Sequence, residues 1–283
     1  MGKNIKWGLF VIFVFIFVIA GCGNGQTEQN QGSTQNNTAE GNQKPVVLKI
    51  GASTTPHAEI LAYIKPALAA EGVDLQITEY ADYPLQNQAL AEGTIDANFF
   101  QHIQYMEQFE AERNVDFDTL TRVHIEPMGI YSEKLNRLDD LKDGAQVSIP
   151  NDATNGGRAL LLLQTAGLIQ LKDDVGNAAT VRDITENPKN LKIVELEAPM
   201  IPRSLDSVDL AVLNTNYALE AGMNPKEDAL VYEGSETPYV NIVAIRAGEG
   251  NNETLQKLND ALLTDDVRKF IEDTFKGAVI PVF

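Results

Sequence analysis

The chain of 283 residues contains one cysteine, Cys22, at the end of an uncharged apolar run that reads Val18-Ile19-Ala20-Gly21-Cys22. With no second cysteine there is no internal disulfide, so any fold must be held by its core alone. The chain is 43 % hydrophobic and 22 % charged, and residues 46–283 are long enough for one large or two modest domains built on such a core.

The residues ahead of Cys22 form a secretory signal pattern. Lys3 and Lys6 give a basic start, residues 7–20 an apolar stretch, and small residues a cleavage point. The stretch is short for a transmembrane helix, which needs about 20 apolar residues. The Ala20-Gly21-Cys22 ending resembles the lipobox of bacterial lipoproteins, which implies removal of residues 1–21, acylation of Cys22 and a lipid anchor on the extracytoplasmic face of the cell membrane. Residues 22–45 are mostly Gly, Asn, Gln, Ser and Thr and cannot bury enough apolar surface to order themselves. They read as a tether that reaches roughly 25 Å as a random coil.

The formal net charge of −18 becomes −20 once Lys3 and Lys6 leave with the signal. That balance argues against nucleic acid and against adhesion to anionic lipid, since both need basic patches.

Beyond residue 46, strand-like and helix-like segments alternate. Residues 46–52, 75–80 and 95–99 read as strands, and 58–70 and 85–92 as helices, with Pro66 expected to kink or restart the first helix. A second set follows Pro127. Residues 146–149, 191–196, 210–213 and 239–245 read as strands, 156–166 as an apolar helix, and 254–275 as two amphipathic helices. This order predicts an α/β chain of two lobes with mixed, mostly parallel sheets. Lobe 1 is 46–127 with 243–283, lobe 2 is 128–242, and the hinge is a pair of crossing strands near 127–131 and 239–243. Ligands in such sheets lie outside the carboxyl ends of the strands.

Several segments carry chemistry. Residues 150–158 (Pro-Asn-Asp-Ala-Thr-Asn-Gly-Gly-Arg) lead a strand into a helix, so backbone N–H groups at the helix start, paired glycines allowing close approach, and the Arg158 fork suit a small carboxylate. The sequence Asn98-Phe99-Phe100-Gln101-His102-Ile103-Gln104-Tyr105 places aromatics where a strand becomes a helix. Phe100, His102 and Tyr105, with Tyr83, are positioned to wall an apolar slot for a thioether; ordinary core packing is the alternative. Asn214 and Asn241, at strand ends, can offer carbonyl oxygens to an ammonium group or can shape turns.

Together, the segments Pro56-His57-Ala58-Glu59-Ile60, Asp96–His102, Pro150–Arg158, Glu186-Asn187-Pro188-Lys189-Asn190-Leu191 and Pro238-Tyr239-Val240-Asn241 resemble the methionine-binding lipoproteins of ABC importers, the MetQ/NlpA family. The resemblance covers residues 46–283. It implies a two-lobed periplasmic-binding-protein fold, type 2-like, that captures methionine and hands it to a membrane permease with a cytoplasmic ATPase, without a cofactor. By the same resemblance Arg158 meets the ligand carboxylate, with Asn155 beside it, and Asn214 and Asn241 hold the amino-acid backbone. Tyr83, Phe100, His102 and Tyr105 line the side-chain pocket. L-methionine is the first ligand to expect; other members with similar motifs take the D-isomer or a methionine-containing dipeptide.

Enzyme readings find little support, because the body lacks a cysteine and a Gly-x-Ser-x-Gly elbow. A metal-binding importer is the nearer rival. His57, His102 and His124 would have to gather in space, and no local ligand spacing favours it.

Overall fold

Residues 44–283 are described by the structure, a computed structural model; the signal segment, Cys22 and the tether up to residue 43 lie outside the described residues. The first half of the body runs β1 (Val46–Ala52), α1 (Glu59–Ala70), β2 (Val73–Glu79), α2 (Tyr83–Ala91), β3 (Ala97–His102), α3 (Ile103–Arg113) and β4 (Phe117–Ile125). Next come β5 (Gly129–Tyr131), β6 (Gln146–Pro150), α4 (Ala153–Thr165), β7 (Gln170–Leu171), β8 (Ile184–Glu186), β9 (Lys192–Leu196), β10 (Leu210–Leu213), α5 (Thr215–Glu220), α6 (Pro225–Asp228) and β11 (Val231–Tyr232). The chain ends with β12 (Val240–Arg246), α7 (Glu253–Leu262), α8 (Asp265–Phe275) and β13 (Ile280–Pro281).

These strands build two principal sheets, one per lobe. The first is ordered β13-β4-β12-β3-β1-β2 and the second β11-β5-β10-β6-β9, while β7 and β8 form a small ribbon. Successive β-α-β units account for the parallel part of each sheet: β1 pairs parallel with β2 and β3, and β6 with β9 and β10. The remaining strands return antiparallel. β12 runs against both β3 and β4, and β5 against both β10 and β11. The chain passes between the sheets at residues 126–128 and again at 233–239. β12 lies wholly in the first sheet, so the second passage precedes the stretch near 239–243 where a crossing strand is expected.

Each sheet has its own core. Ile50, Phe99 and Val243 of the first sheet are buried under Ile60 and Leu61 of α1, Leu258 of α7 and Ile271 of α8. The two C-terminal helices fit there because each presents one apolar stripe: Leu255, Leu258 and Leu262 on α7, and Val267, Ile271 and Phe275 on α8. Asn252 and Thr264 cap them, accepting backbone N–H groups from the first turns. In the second core Leu160, Leu162 and Leu163 of α4 are buried against Val147, Ile149 and Val212, each leucine contributing about 1.5–3 kcal/mol of apolar burial. The helix restart that Pro66 could have caused does not occur. α1 runs through it, because Pro66 and Ala62 lie on the exposed face, where solvent can serve the carbonyl that proline leaves without a donor.

Candidate ligand-binding site

The eight residues singled out from the sequence come from five elements and one link between elements, and the fold brings all of them to one cavity. Tyr83 opens α2, Phe100 and His102 sit two apart on β3, and Tyr105 lies in the first turn of α3. Asn155 and Arg158 are one turn apart on α4, Asn214 joins β10 to α5, and Asn241 is on β12. They border one cavity together with Gln101, Glu126, Thr215 and Asn216. A larger trough adjoins it and shares Tyr105, but the convergent cation and amides are in the smaller cavity.

One wall is aromatic. Tyr83 lies 5.5 Å from Phe100, 5.6 Å from Tyr105 and 5.0 Å from Tyr217, ring centre to ring centre. Burial pushes the hydroxyls of Tyr83 and Tyr105 well above the usual range, so both stay neutral. His102 caps α3: its Nδ1 accepts the Tyr105 N–H at 3.2 Å, which leaves Nε2–H to donate to Asn155 Oδ1 at 3.4 Å. Burial first, and the charge of Arg158 second, lower its pKa to about 3.

The polar wall is largely pre-wired. Asn155 Oδ1 also accepts from Asn214 Nδ2 at 2.8 Å, and Asn155 Nδ2 donates to both carboxylate oxygens of Asp152. Arg158, with its side chain 3 % exposed, donates from Nε and Nη2 to Glu233 at 2.8 and 2.5 Å and from Nη2 to the Glu126 carbonyl at 2.8 Å. Two buried atoms on this wall have no partner, the acceptor Asn214 Oδ1 and the donor Asn216 Nδ2. A buried polar atom left unpaired is costly, so these two mark where a ligand's own polar groups fit.

Sequence reasoning assigned the start of α4 to an anion, and the structure corrects this. Asp152 itself caps the helix, accepting the Asn155 N–H at 2.9 Å, so a carboxylate of the protein already occupies that position. The paired glycines serve backbone packing, not ligand approach. A Cβ at Gly156 would lie 2.9 Å from the Pro150 carbonyl oxygen, and one at Gly157 only 2.2 Å from that of Asn177.

Glu126, Gln101, Thr215 and Asn216 were not singled out from the sequence. Glu126 precedes Pro127 at the first passage between the sheets, and an acid between an apolar strand and a proline was the available signal. Its Oε1 lies 2.7 Å from His124 Nε2 and 3.2 Å from His57 Nε2, and His57 Nε2 is also 3.1 Å from Asn241 Oδ1. Two of the three histidines weighed as metal ligands therefore do converge, whereas His102 belongs to the other wall. The 2.7 Å contact is a hydrogen-bond length, shorter than the roughly 3.3 Å between two ligands of a tetrahedral zinc. Neither Nδ1 has the acceptor that commonly backs a metal-bound imidazole. Burial lowers His57 to about 4 and His124 to about 3, and raises the Glu126 carboxyl.

His102 supports a pH prediction. Its folded pKa of about 3 lies below the usual 6.5, so its contribution to stability is complete above pH 6.5 and is lost as pH falls toward 3. Burial raises Glu126, Asp152 and Glu220, which act in the opposite sense, so the histidine is isolated by difference. Between pH 6.5 and 4, His102→Gln is expected to lose less stability than the wild type by roughly 1.4 kcal/mol per pH unit, read from denaturant midpoints. Parallel curves would show that His102 is protonated in the fold.

Two α/β lobes, each with its own sheet, and a cavity where residues of both meet define the two-lobed periplasmic-binding-protein fold. The family model described as NlpA lipoprotein matches residues 48–283. This chain belongs to the NlpA lipoprotein family. It is 40 % identical over 266 residues to the D-methionine-binding lipoprotein MetQ of Salmonella typhimurium, covering 93 % of this chain and 92 % of the relative. It is 38 % identical over 278 residues to the methionine-binding lipoprotein MetQ of Bacillus subtilis, covering 96 % of each. A nutrient binding protein from Burkholderia cenocepacia, solved bound to methionine, superposes with a TM-score of 0.81 at 41 % identity, covering 83 % of this chain and all of that one. Among the described residues no helix is long and apolar enough to cross a membrane.

Proposed function

We propose that this chain is the substrate-binding lipoprotein of an ABC importer, which captures methionine in the cavity and delivers it to a membrane permease driven by a cytoplasmic ATPase. The reading rests above all on one observation. A guanidinium, an unpartnered amide oxygen, an unpartnered amide N–H and an aromatic wall converge on one cavity, the set of groups that a small zwitterion needs. Arg158 and Asn216 Nδ2 take the carboxylate, and Asn214 Oδ1 takes the ammonium, with Asn241 beside it. The rings of Tyr83, Phe100, His102 and Tyr105 take the thioether. Asn155 orients Asn214 and His102 through its own hydrogen bonds. A zwitterion held this way has a hydrogen-bonding partner at each of its charges.

The two lobes, joined at residues 126–128 and 233–239, would close about these passages and expel water from the ligand. Acylation at Cys22 and the tether would keep the protein on the extracytoplasmic face, within reach of its permease. The D-isomer is a second reading, favoured by the name of the Salmonella relative.

Trp7, the only tryptophan, leaves with the signal, so calorimetry or tyrosine fluorescence must report binding. Titration of the mature chain with L-methionine, D-methionine, a methionine-containing dipeptide and zinc is expected to give saturable binding with L-methionine tightest. Mass spectrometry should find methionine in the protein as purified. A melting temperature raised by zinc and untouched by any methionine species would overturn the proposal.

A further inference from the structure

Arg158 is gripped on an edge and a face by the two ends of a single segment. Residues 233–239 form the second passage between the sheets. At the start of that passage Glu233 accepts Nε–H at 2.8 Å and Nη2–H at 2.5 Å, and its Oε2 is itself held by the Met128 N–H at 3.0 Å. At its end the Tyr239 ring lies over the guanidinium, 4.2 Å from Cζ, and the Tyr239 hydroxyl donates to Asn177 Oδ1. The first passage adds the Glu126 carbonyl on Nη2. A guanidinium has five N–H donors in a rigid plane. Three are committed to these partners, and no hydrogen bond among the described residues uses Nη1, although Arg158 borders the cavity.

Resting on the methionine-binding reading above, we infer that Glu233 is a positioning residue: it fixes the plane of Arg158 so that the Nη1 edge meets the ligand carboxylate. The ion pair also neutralises the guanidinium in advance, so the cavity offers directed N–H donors with little net positive charge. That arrangement suits a zwitterion, neutral overall, better than a simple carboxylic acid, which would enter as an anion.

A competing role is open to the same geometry. If Glu233 occupied the guanidinium at the ligand's expense, its removal would tighten binding. The Met128 N–H bond and the side-on approach, which leaves Nη1 uncommitted, favour the positioning role.

The experiment compares methionine with methioninamide, which keeps the thioether and ammonium and lacks the carboxylate, in wild type and Glu233→Gln by calorimetry. Glu233→Gln is expected to weaken methionine roughly tenfold or more, the scale of one charge-assisted hydrogen bond, and to change methioninamide less than about threefold. In the Arg158→Ala background the same change should add little, because both act through one contact. If Glu233→Gln does not fold, Glu233→Asp keeps the charge and shortens the reach, and the same ligand-selective loss is expected at smaller size. Equal losses for both ligands would make Glu233 a packing residue, tighter methionine binding would make it a competitor, and no change would remove it from the site; each outcome overturns the inference while methionine binding by the wild type stands. A wild type that binds no methionine would remove the inference together with the functional reading.

Discussion

Arg158→Ala is expected to weaken methionine binding by roughly 10- to 150-fold, corresponding to about 1.5–3 kcal/mol for a charge-assisted contact to a carboxylate. The same change should cost the fold more than it costs the complex. Glu233, its side chain 13 % exposed, would keep only the Met128 N–H as a hydrogen-bond donor, and the Glu126 carbonyl would lose the donor it now has. Removing one partner of a buried pair costs about 3–5 kcal/mol, because the other charge is stranded. The melting temperature should therefore fall by several degrees even without ligand. Arg158→Lys restores a charge but not the planar fork, so it should recover part of the stability and little of the affinity. A folded Arg158→Ala protein with wild-type methionine affinity would place the carboxylate elsewhere.

The second large effect is expected at a residue that touches no ligand. Gly157→Ala would put a methyl group 2.2 Å from the Asn177 carbonyl oxygen, 2.9 Å from its carbon and 3.2 Å from the Ala179 carbonyl oxygen. All three are backbone atoms, so no side chain can rotate away. Either α4 or the segment at 176–179 must move. Overpacking of this kind costs about 1–3 kcal/mol and more when backbone is displaced, so a loss of about 3 kcal/mol is expected in denaturant melts. Binding should suffer too, because Asn177 holds the Tyr239 hydroxyl and Tyr239 covers Arg158. Stability within 0.5 kcal/mol of wild type would mean that the segment yields freely and plays no part in holding the site.

The two α/β halves and the eight cavity residues were legible because their signals are local or reside in long motifs. Leu210–Leu213 is an apolar run of strand length, and α7 and α8 carry clean helical stripes. The family motifs, each spanning several residues, pointed to Arg158 and Asn241, and the strand end after Leu213 to Asn214. Other features have no local signature. The apolar run at residues 242–245 in β12 carries no sign of direction, so nothing in it says that the strand runs antiparallel between β3 and β4. β4 carries Asp118 and Arg122 among its apolar residues and went unread, while α3 was read only where it starts, because its polar and apolar residues make no clear stripe that marks its length. Asn216 passes as a turn former until Tyr83, 133 positions away, is seen donating to it. The role of Gly157 depends on where the segment at 176–179 comes to lie, which no spacing in the sequence reveals.

The placing of β12 has a consequence for the order in which the molecule can be assembled. Val243 pairs with Phe99 on one side and Thr121 on the other, so β3 and β4 are never neighbours and face a gap one strand wide until β12 arrives. That strand starts at Val240, long after β4 has ended at Ile125. The N-terminal half cannot complete its own sheet during translation, and its two open edges wait for a partner far along the chain. A nascent chain of this kind is slow to lock into its final shape. A product ending before Val240 would be left with two sticky edges rather than a smaller working protein.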